Sequence, residues 1–262
     1  MPELPDLTVY AENLKKCVLD RTIADALVVH GGRIKPSPPA LVKAAQGAFV
    51  ADIVRIGKEL IFSLSNDKSF AVHLMLSGRF HLTTTAEAEA LPGRIVTFAF
   101  EDGDALTVSD PSKLCKLTLN PKKSTVPDVL SDEFDRAAFA RAARKYAWLN
   151  VKAFLTDQKI MLGIGNAYAD EILFRANISP EEYVGRIPPE ALSELWTAIR
   201  DTLTDAITSI RAIAPDIIGG EERSFLKVHH PDKKETDAGD LILVKEIAGK
   251  KTYYTARQRR FR

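Results

Sequence analysis

The hydrophobic period of this chain changes once, and that change limits its possible folds more than any other feature. Up to about residue 120 the apolar residues fall in short pieces rich in Val, Ile, Phe and Thr: Ile23–Val29, Ala48–Ile56, Glu59–Leu64, Phe70–Leu76, Ile95–Phe100 and Ala105–Val108. Gly31-Gly32, Asn66-Asp67 and Asp102-Gly103 separate them, as turns between strands require. One helical pattern precedes them over residues 6–19, with Leu7, Tyr10, Ala11, Leu14 and Val18 on one face and Asp6 near the positive end of the dipole. Many short strands behind one helix predict an antiparallel β-sandwich ending near Asn120. After the polar, proline-flanked Pro121–Pro127 the period becomes helical. Helices are expected over Asp132–Lys145, Ala147–Leu155, Asn166–Ala176 and Pro189–Ile213, the last with Leu192, Leu195, Trp196, Ile199, Leu203, Ile207 and Ile210 in one stripe. From about Ala214 strand character returns, and Leu241–Ile247 and Lys251–Thr255 around Ala248-Gly249 predict a closing β-hairpin. The expected class is α+β: a β-sandwich domain over 1–120, a linker over 121–131, a helical domain over 132–213 and a β-hairpin over 214–262.

With 262 residues, 45% of them apolar, the chain can fill one large or two modest cores. No apolar run approaches the roughly 20 residues that span a bilayer, and the first residues are carboxylates and prolines, unlike a secretory signal. The expectation is a soluble cytoplasmic protein with no membrane partner, nucleoid-associated if bacterial. Cys17 and Cys115 are the only cysteines and no Cys-x-x-Cys occurs, so neither a disulfide framework nor a four-cysteine zinc site is expected. Both thiols are expected to be buried as small hydrophobes. The net charge of +1 hides an asymmetry: residues 223–262 carry 11 Lys/Arg against 5 Asp/Glu, a surplus of +6, leaving −5 for the rest. A tail ending Arg257-Gln258-Arg259-Arg260-Phe261-Arg262 suits phosphate binding, and equally suits a solvated, frayed terminus.

Two stretches could carry chemistry. The chain opens Met1-Pro2-Glu3-Leu4-Pro5. A small residue at position two favours removal of Met1, which would bare the secondary amine of Pro2. An α-amino group titrates near 8, so much of it is unprotonated near neutrality. Such an amine attacking a sugar C1′ gives an iminium, an electron sink that promotes loss of phosphate. Glu3 beside it could exchange protons with the opened sugar. The other reading is a rigid extension ahead of a helix. The second stretch, Asp157 to Phe174, reads as helix, Gly163-Ile164-Gly165 turn and helix, with Asn166 at the mouth of the second helix, where free N–H groups can hold a phosphate. An ordinary helix–turn–helix cap has the same appearance.

Together the two stretches resemble the formamidopyrimidine-DNA glycosylase/endonuclease VIII family, whose members begin Pro-Glu-Leu-Pro-Glu after processing and contain a Gly-Val-Gly-Asn-Ile-Tyr-Ala turn. The resemblance runs over essentially the whole chain. It implies a monomeric two-domain clamp on damaged double-stranded DNA, with the damaged nucleotide everted into a cleft. It implies a bifunctional glycosylase and AP lyase in which Pro2 forms the Schiff base, Glu3 handles protons and β- and δ-elimination cut the strand. Arg55-Ile56-Gly57-Lys58 matches the family's strand-turn lysine, so Lys58 would contact a flanking phosphate and assist elimination. His73-Leu74-Met75-Leu76-Ser77-Gly78 matches the family's His-Leu-Gly-Met-Ser-Gly, which makes His73 a phosphate contact and Leu76 a wedge in the emptied stack. Asn166, Lys113, Lys250 and Lys251 complete the implied DNA contacts.

Four departures qualify this. The family's second acidic residue is Asp6, one methylene shorter. Asp-Pro-Arg-Arg-Phe-Gly becomes Asp110-Pro111-Ser112-Lys113-Leu114-Cys115, so void-filling Arg and Phe are Ser112 and Leu114. The stretch Ile217–Lys227 is much shorter than the lesion-capping loop, which argues against tight capping of 8-oxoguanine and leaves formamidopyrimidines, oxidised pyrimidines or hydantoins. The C-terminal finger lacks every zinc ligand; Thr255 and Gln258 fall near the last pair, so a zincless finger without cofactor is expected, with Lys250 or Lys251 in place of the finger's phosphate-binding Arg. The rival reading is a non-catalytic binder of damaged DNA with the same fold, favoured if Met1 is retained.

Overall fold

The computed structural model describes residues 1–261; Arg262, the last cation of the basic tail, lies outside the described residues. The chain forms two compact units, Met1–Lys123 with Ile210–Glu221, and Ser124–Ser209 with the residues from Glu222 onward. The expected division at 213/214 thus differs from the observed one, which gives the segment after the long helix to the first unit.

In the first unit, α1 (Leu4–Val18) is followed by β1 (Ile23–Val28), β2 (Ile34–Lys35), α2 (Pro38–Ala45), β3 (Val50–Ile56), β4 (Glu59–Leu64) and β5 (Ser69–His73). Then come β6 (Arg79–Thr84), α3 (Thr85–Ala90), β7 (Arg94–Phe100), β8 (Asp104–Ser109) and β9 (Lys116–Leu119). They form a five-stranded sheet in the order β2-β9-β5-β4-β3 and a four-stranded sheet in the order β1-β7-β8-β6. All pairings are antiparallel except the two-residue β2–β9 pair, so the expected antiparallel sandwich holds with one short parallel edge. Alternation carries the apolar set inward: Phe62 stacks on Phe70 at 4.8 Å between ring centroids, and Phe70 on Phe98 of the other sheet at 5.0 Å. Leu7, Tyr10, Ala11, Leu14 and Val18 of α1 enter the same core, as their spacing predicts.

Several boundaries move for local reasons. Phe70–Leu76 was expected as one strand, but β5 stops at His73, because residues 74–78 form a turn in which Met75 has φ +57°. Gly78 permits that turn: a Cβ there would lie 2.3 Å from the Leu74 carbonyl oxygen and 2.2 Å from Cys115 Sγ. Cys115 is buried as expected, whereas Cys17 is exposed, lying on the solvent side of α1.

The second unit contains α4 (Arg136–Lys145), α5 (Val151–Thr156), α6 (Asn166–Arg175), most of α7 (Pro189–Ile213), and the hairpin β10 (Ile242–Ile247) and β11 (Lys250–Thr255). Helix α4 begins at Arg136 rather than Asp132 because Asp135 caps it, its carboxylate accepting the Ala138 N–H at 2.6 Å. Residues 157–162 were expected to continue a helix and instead make turns, with the Asp157 carboxylate accepting the Lys159 N–H at 2.8 Å. Residues 214–241 carry no named strand, contrary to the expected return of strand character. The hairpin itself turns on Ala248 (φ +52°) and Gly249 (φ +70°), two left-handed residues as a type I′ turn requires.

Candidate nucleic-acid and amine site

The first unit places two of the three expected catalytic residues, Pro2 and Glu3, at the head of α1, and the third, Lys58, in the β3–β4 turn. Pro2 is buried, and Glu3 is 3% exposed and stands at the N-cap position. Asp6, the shortened acidic residue, accepts the Glu3 N–H at 2.8 Å, the reverse half of a capping box. The methylene lost there keeps a cap. The Met1 amine forms an ion pair with Glu221.

Lys58 sits half-buried in the β3–β4 turn, which Gly57 makes possible at φ +59°. Arg55 braces this turn, donating to Thr8 Oγ1 of α1 at 2.9 Å and to the Gly57 carbonyl at 3.2 Å. Burial, together with the charges of Lys116 and Lys58, pushes the His73 imidazole down to about 4, so it is neutral at pH 7. Its Nδ1 accepts the Met75 N–H at 3.0 Å, which leaves the ring proton on Nε2 as a donor. Leu76, at the tip of the turn, is 61% exposed.

The Lys113 loop hangs on Asp110, which is fully buried. Its carboxylate accepts from Ser77 Oγ at 2.5 Å, Ser112 N at 3.0 Å and Oγ at 2.6 Å, Leu114 N at 2.6 Å and Cys115 N at 2.8 Å. Burial opposes its ionisation, but the hydrogen bonds from Ser112, Ser77, Cys115 and Leu114 outweigh it and hold the carboxyl at about 2. Ser112 thus serves the loop that displays Lys113. Cys115 donates to the Leu74 carbonyl at 3.1 Å, and burial beside Asp110 pushes its thiol up to about 12, which leaves it inert as a nucleophile.

In the second unit Asn166 is the first residue of α6, and its amide donates to the Lys251 carbonyl at 2.9 Å. Its side-chain oxygen is buried with no hydrogen-bond partner. The fold thus brings Asn166 against the hairpin that carries Lys250 and Lys251. Beneath them lies a network that the sequence did not reveal. Lys152, fully buried, donates to Asp170 at 2.6 Å and to Thr252 Oγ1 at 2.6 Å. Asp170 also meets His229 Nδ1 at 2.6 Å and the Tyr253 N–H at 3.0 Å. Its neighbour Glu171 accepts the N–H groups of Lys227, Val228 and His229 at 2.7–2.9 Å. A lysine at the second position of a helix and two adjacent carboxylates look like surface charge in sequence, and only the fold turns all three inward.

Thr255 and Gln258 bond to each other and to the helical region: the Thr255 N–H donates to Gln258 Oε1 and Gln258 Nε2 to the Ile178 carbonyl, both at 2.8 Å. A threonine hydroxyl and a glutamine amide that already holds two backbone groups do not fit a zinc ion, which takes thiolate, imidazole or carboxylate donors. Among the described residues no group of three or more His, Cys, Asp or Glu could hold a metal. The basic tail is docked rather than frayed. Arg257, Arg259 and Arg260 pair with Asp240, Glu194 and Glu181, and the Phe261 N–H with Glu182 at 2.6 Å. No helix among the described residues is long and apolar enough to cross a membrane.

Residues 1–117 match the family profile of the Formamidopyrimidine-DNA glycosylase N-terminal domain, and residues 126–214 that of the Formamidopyrimidine-DNA glycosylase H2TH domain. The chain is 34% identical to a formamidopyrimidine-DNA glycosylase of Enterococcus faecalis over 79% of its own length and 76% of the relative's. It is 32% identical to that of Mycoplasma genitalium over 97% and 94%. Among solved structures it resembles a Lactococcus lactis Fpg mutant in complex with Fapy-dG containing DNA, with TM-score 0.85, 25% identity and coverage of 97% and 98%. It also resembles the Lactococcus lactis Fpg in complex with abasic site containing DNA, with TM-score 0.86, 24% identity and the same coverage. The chain belongs to the formamidopyrimidine-DNA glycosylase family.

Proposed function

We propose that this protein is a DNA-repair glycosylase with AP-lyase activity that acts on damaged double-stranded DNA as a monomer and without a metal cofactor. The observation that carries the reading is the head of α1, where Pro2 and the buried Glu3 stand together and Asp6 takes the cap N–H. The family's named activity supports the glycosylase step, and the residues support the lyase step. With Met1 removed, the Pro2 nitrogen attacks C1′ as the base leaves with the C1′–N pair; the nitrogen then gives up its proton, and its lone pair opens the C1′–O4′ bond to give an iminium. The iminium acidifies C2′–H, a base takes that proton, and the freed electron pair expels the 3′ phosphate. β-Elimination, followed by δ-elimination, then opens the strand. Glu3 protonates the opened sugar oxygen.

Phosphate contacts divide between the units. His73 offers a neutral Nε2–H beside the Lys58 cation, and Lys113 rides on the Asp110 loop. Asn166 with the N-terminus of α6, and Lys250 and Lys251 on the hairpin, supply the other set. Leu76, exposed and apolar, fits a wedge between bases. Ser112 and Leu114 are short for filling an emptied stack. Ile217–Lys227 is short for tight capping of 8-oxoguanine, which leaves formamidopyrimidines, oxidised pyrimidines or hydantoins as substrates. Affinity is expected to fall steeply with salt.

The test is borohydride trapping on duplex DNA with an abasic site. Protein whose intact mass shows Met1 removed should give a covalent adduct. Pro2→Gly, a primary amine on a looser backbone, should trap at least about 10-fold more slowly. Protein that keeps Met1, where the Pro2 nitrogen is an amide, should give no adduct. Absence of an adduct from processed protein that still binds the duplex would establish the non-catalytic binder instead.

A further inference from the structure

The stretch Ile217–Lys227 is short for a capping loop, yet the chain leading into it from the end of α7 is not slack. Arg211 grips Glu12 of α1 with both arms, at 2.5 and 2.9 Å. Ile217 and Ile218 pack on the sandwich core, and the Ile217 carbonyl accepts from Asn13 of α1 at 3.0 Å. Gly219 runs so close to β6 that a Cβ would lie 2.9 Å from the Phe80 carbonyl oxygen. The Gly220 carbonyl accepts the Tyr10 hydroxyl, with Gly220 at φ +93°. Each contact lies within the first unit, and from Asn13 to Tyr10 the strap runs along α1 toward its head. The next residue, Glu221, ends on the chain's own amine.

The geometry points to Glu221 as a further catalytic residue, the carboxylate that receives the proton of the Pro2 amine and then faces the iminium cation. This rests on the lyase reading above and deepens it. Removing Met1 moves the terminal amine one residue inward, about 3.8 Å along the chain. That is within the swing of a glutamate side chain whose backbone is fixed at Gly220. At an abasic aldehyde the nitrogen lone pair forms the N–C1′ bond while the carbonyl π pair moves to oxygen. The N–H proton passes to Glu221. The oxygen then takes that proton and a second one from solvent and leaves as water with the C–O pair, as the nitrogen pair closes the C=N⁺ bond. One solvent proton is consumed and the positive charge ends beside the Glu221 carboxylate. The short loop thus exchanges a capping role for a carboxylate delivered to the nucleophile.

Glu221→Gln keeps the size of the side chain and removes its charge. In Met1-processed protein, trapping on abasic-site duplex is expected to slow about 10-fold or more, with duplex affinity within about twofold of wild type and partial rescue by Glu221→Asp. A Gln variant that traps within about twofold of wild type overturns the assignment. A second readout needs no DNA: competitive acetylation of the N-terminal amine across pH. A carboxylate beside an ammonium holds its proton, so the amine of the Gln variant should become reactive at lower pH than wild type. Identical acetylation profiles overturn the contact. If wild type traps nothing, the lyase reading fails while the acetylation profiles still decide whether Glu221 serves the amine. Should the Gln variant not fold, the Asp variant carries both measurements, its shorter reach predicting an intermediate rate and an intermediate profile; wild-type values for both overturn the assignment.

Discussion

Each unit hangs a loop on one buried carboxylate, and the two carboxylates are poised in opposite directions. Asp110 holds the Lys113 loop of the first unit and sits at about 2. Glu171 holds residues 227–229 of the second unit, and burial pushes it up despite the N–H groups of His229, Val228 and Lys227. The difference lies in the donors: Asp110 receives two serine hydroxyls at 2.5 and 2.6 Å in addition to three N–H groups, whereas Glu171 receives N–H groups alone. Serine hydroxyls are small and can turn to the charge, so Ser77 and Ser112 give this loop a firm anchor. The second unit relies instead on a buried ion pair next door.

That pair gives the largest expected effect. Lys152 and Asp170 are both essentially inaccessible to solvent, and Thr252 and Tyr253 of β11 bond to them. Lys152→Met leaves Asp170 charged and buried with only His229 and an N–H group, and should cost about 3–5 kcal/mol of stability. Urea unfolding followed at Trp196, which belongs to the second unit, would measure it. A cost below about 1 kcal/mol would mean that the hairpin is held by packing alone.

How much of this was legible in the sequence depends on range. Periodicity located α1, β4, β7, α6 and α7 because each buries one face, and the 3.6 or 2.0 repeat survives in the residue order. The two-residue β2, and β6 with its uneven burial, have too little pattern to read. Pro2, Glu3, Lys58, His73 and Asn166 could be singled out because they lie in contiguous motifs. Lys152, Arg55 and Glu221 were not, since their partners are 100, 47 and 220 residues away in the chain and nothing local marks them. Glu221 had one available signal: a proline and two glycines directly after a long amphipathic helix, where a chain is being steered rather than released.

The next effect tests the two anchors against each other. Asp110→Asn removes the charge on which five donors converge and should cost about 2 kcal/mol at pH 7, with the Lys113 loop loosening first in amide exchange. The pH response separates the anchors by sign. The folded-state value of Asp110 is depressed, so its contribution is present above the unfolded value of 3.8 and is lost as pH falls toward 2. The folded-state value of Glu171 is raised, so its contribution is fully present below 4.5 and is lost as pH rises through the folded value. Acidification from pH 4 to 2.5 should therefore destabilise wild type more than Asp110→Asn. Glu171→Gln should flatten the pH dependence above 4.5. Parallel curves for wild type and Asp110→Asn would mean that the loop does not depend on that charge.

The smallest effect concerns left-handed residues, which both units place beside their lysines. Lys113 adopts φ +56°, and its N–H donates to the Asp110 carbonyl at 3.0 Å within a loop fixed by five further bonds. Ala248, at φ +52° in the hairpin turn, has only the β10–β11 ladder to hold it, the pair Ile247–Lys250 closing the turn. An L-residue with a plain Cβ costs about 1 kcal/mol in this region, and asparagine costs less because its amide can bond locally. Ala248→Asn should therefore stabilise the hairpin by about 0.5 kcal/mol, read as slower amide exchange at Thr252 and Tyr253, while Ala248→Val should weaken it. At Lys113 the same exchange to asparagine should change stability less, because the Asp110 network already dictates that backbone, and should instead lower DNA affinity by removing a cation. Equal stability gains at both positions would show that the Asp110 loop is no better determined than the hairpin turn, and the contrast between the two anchors would collapse.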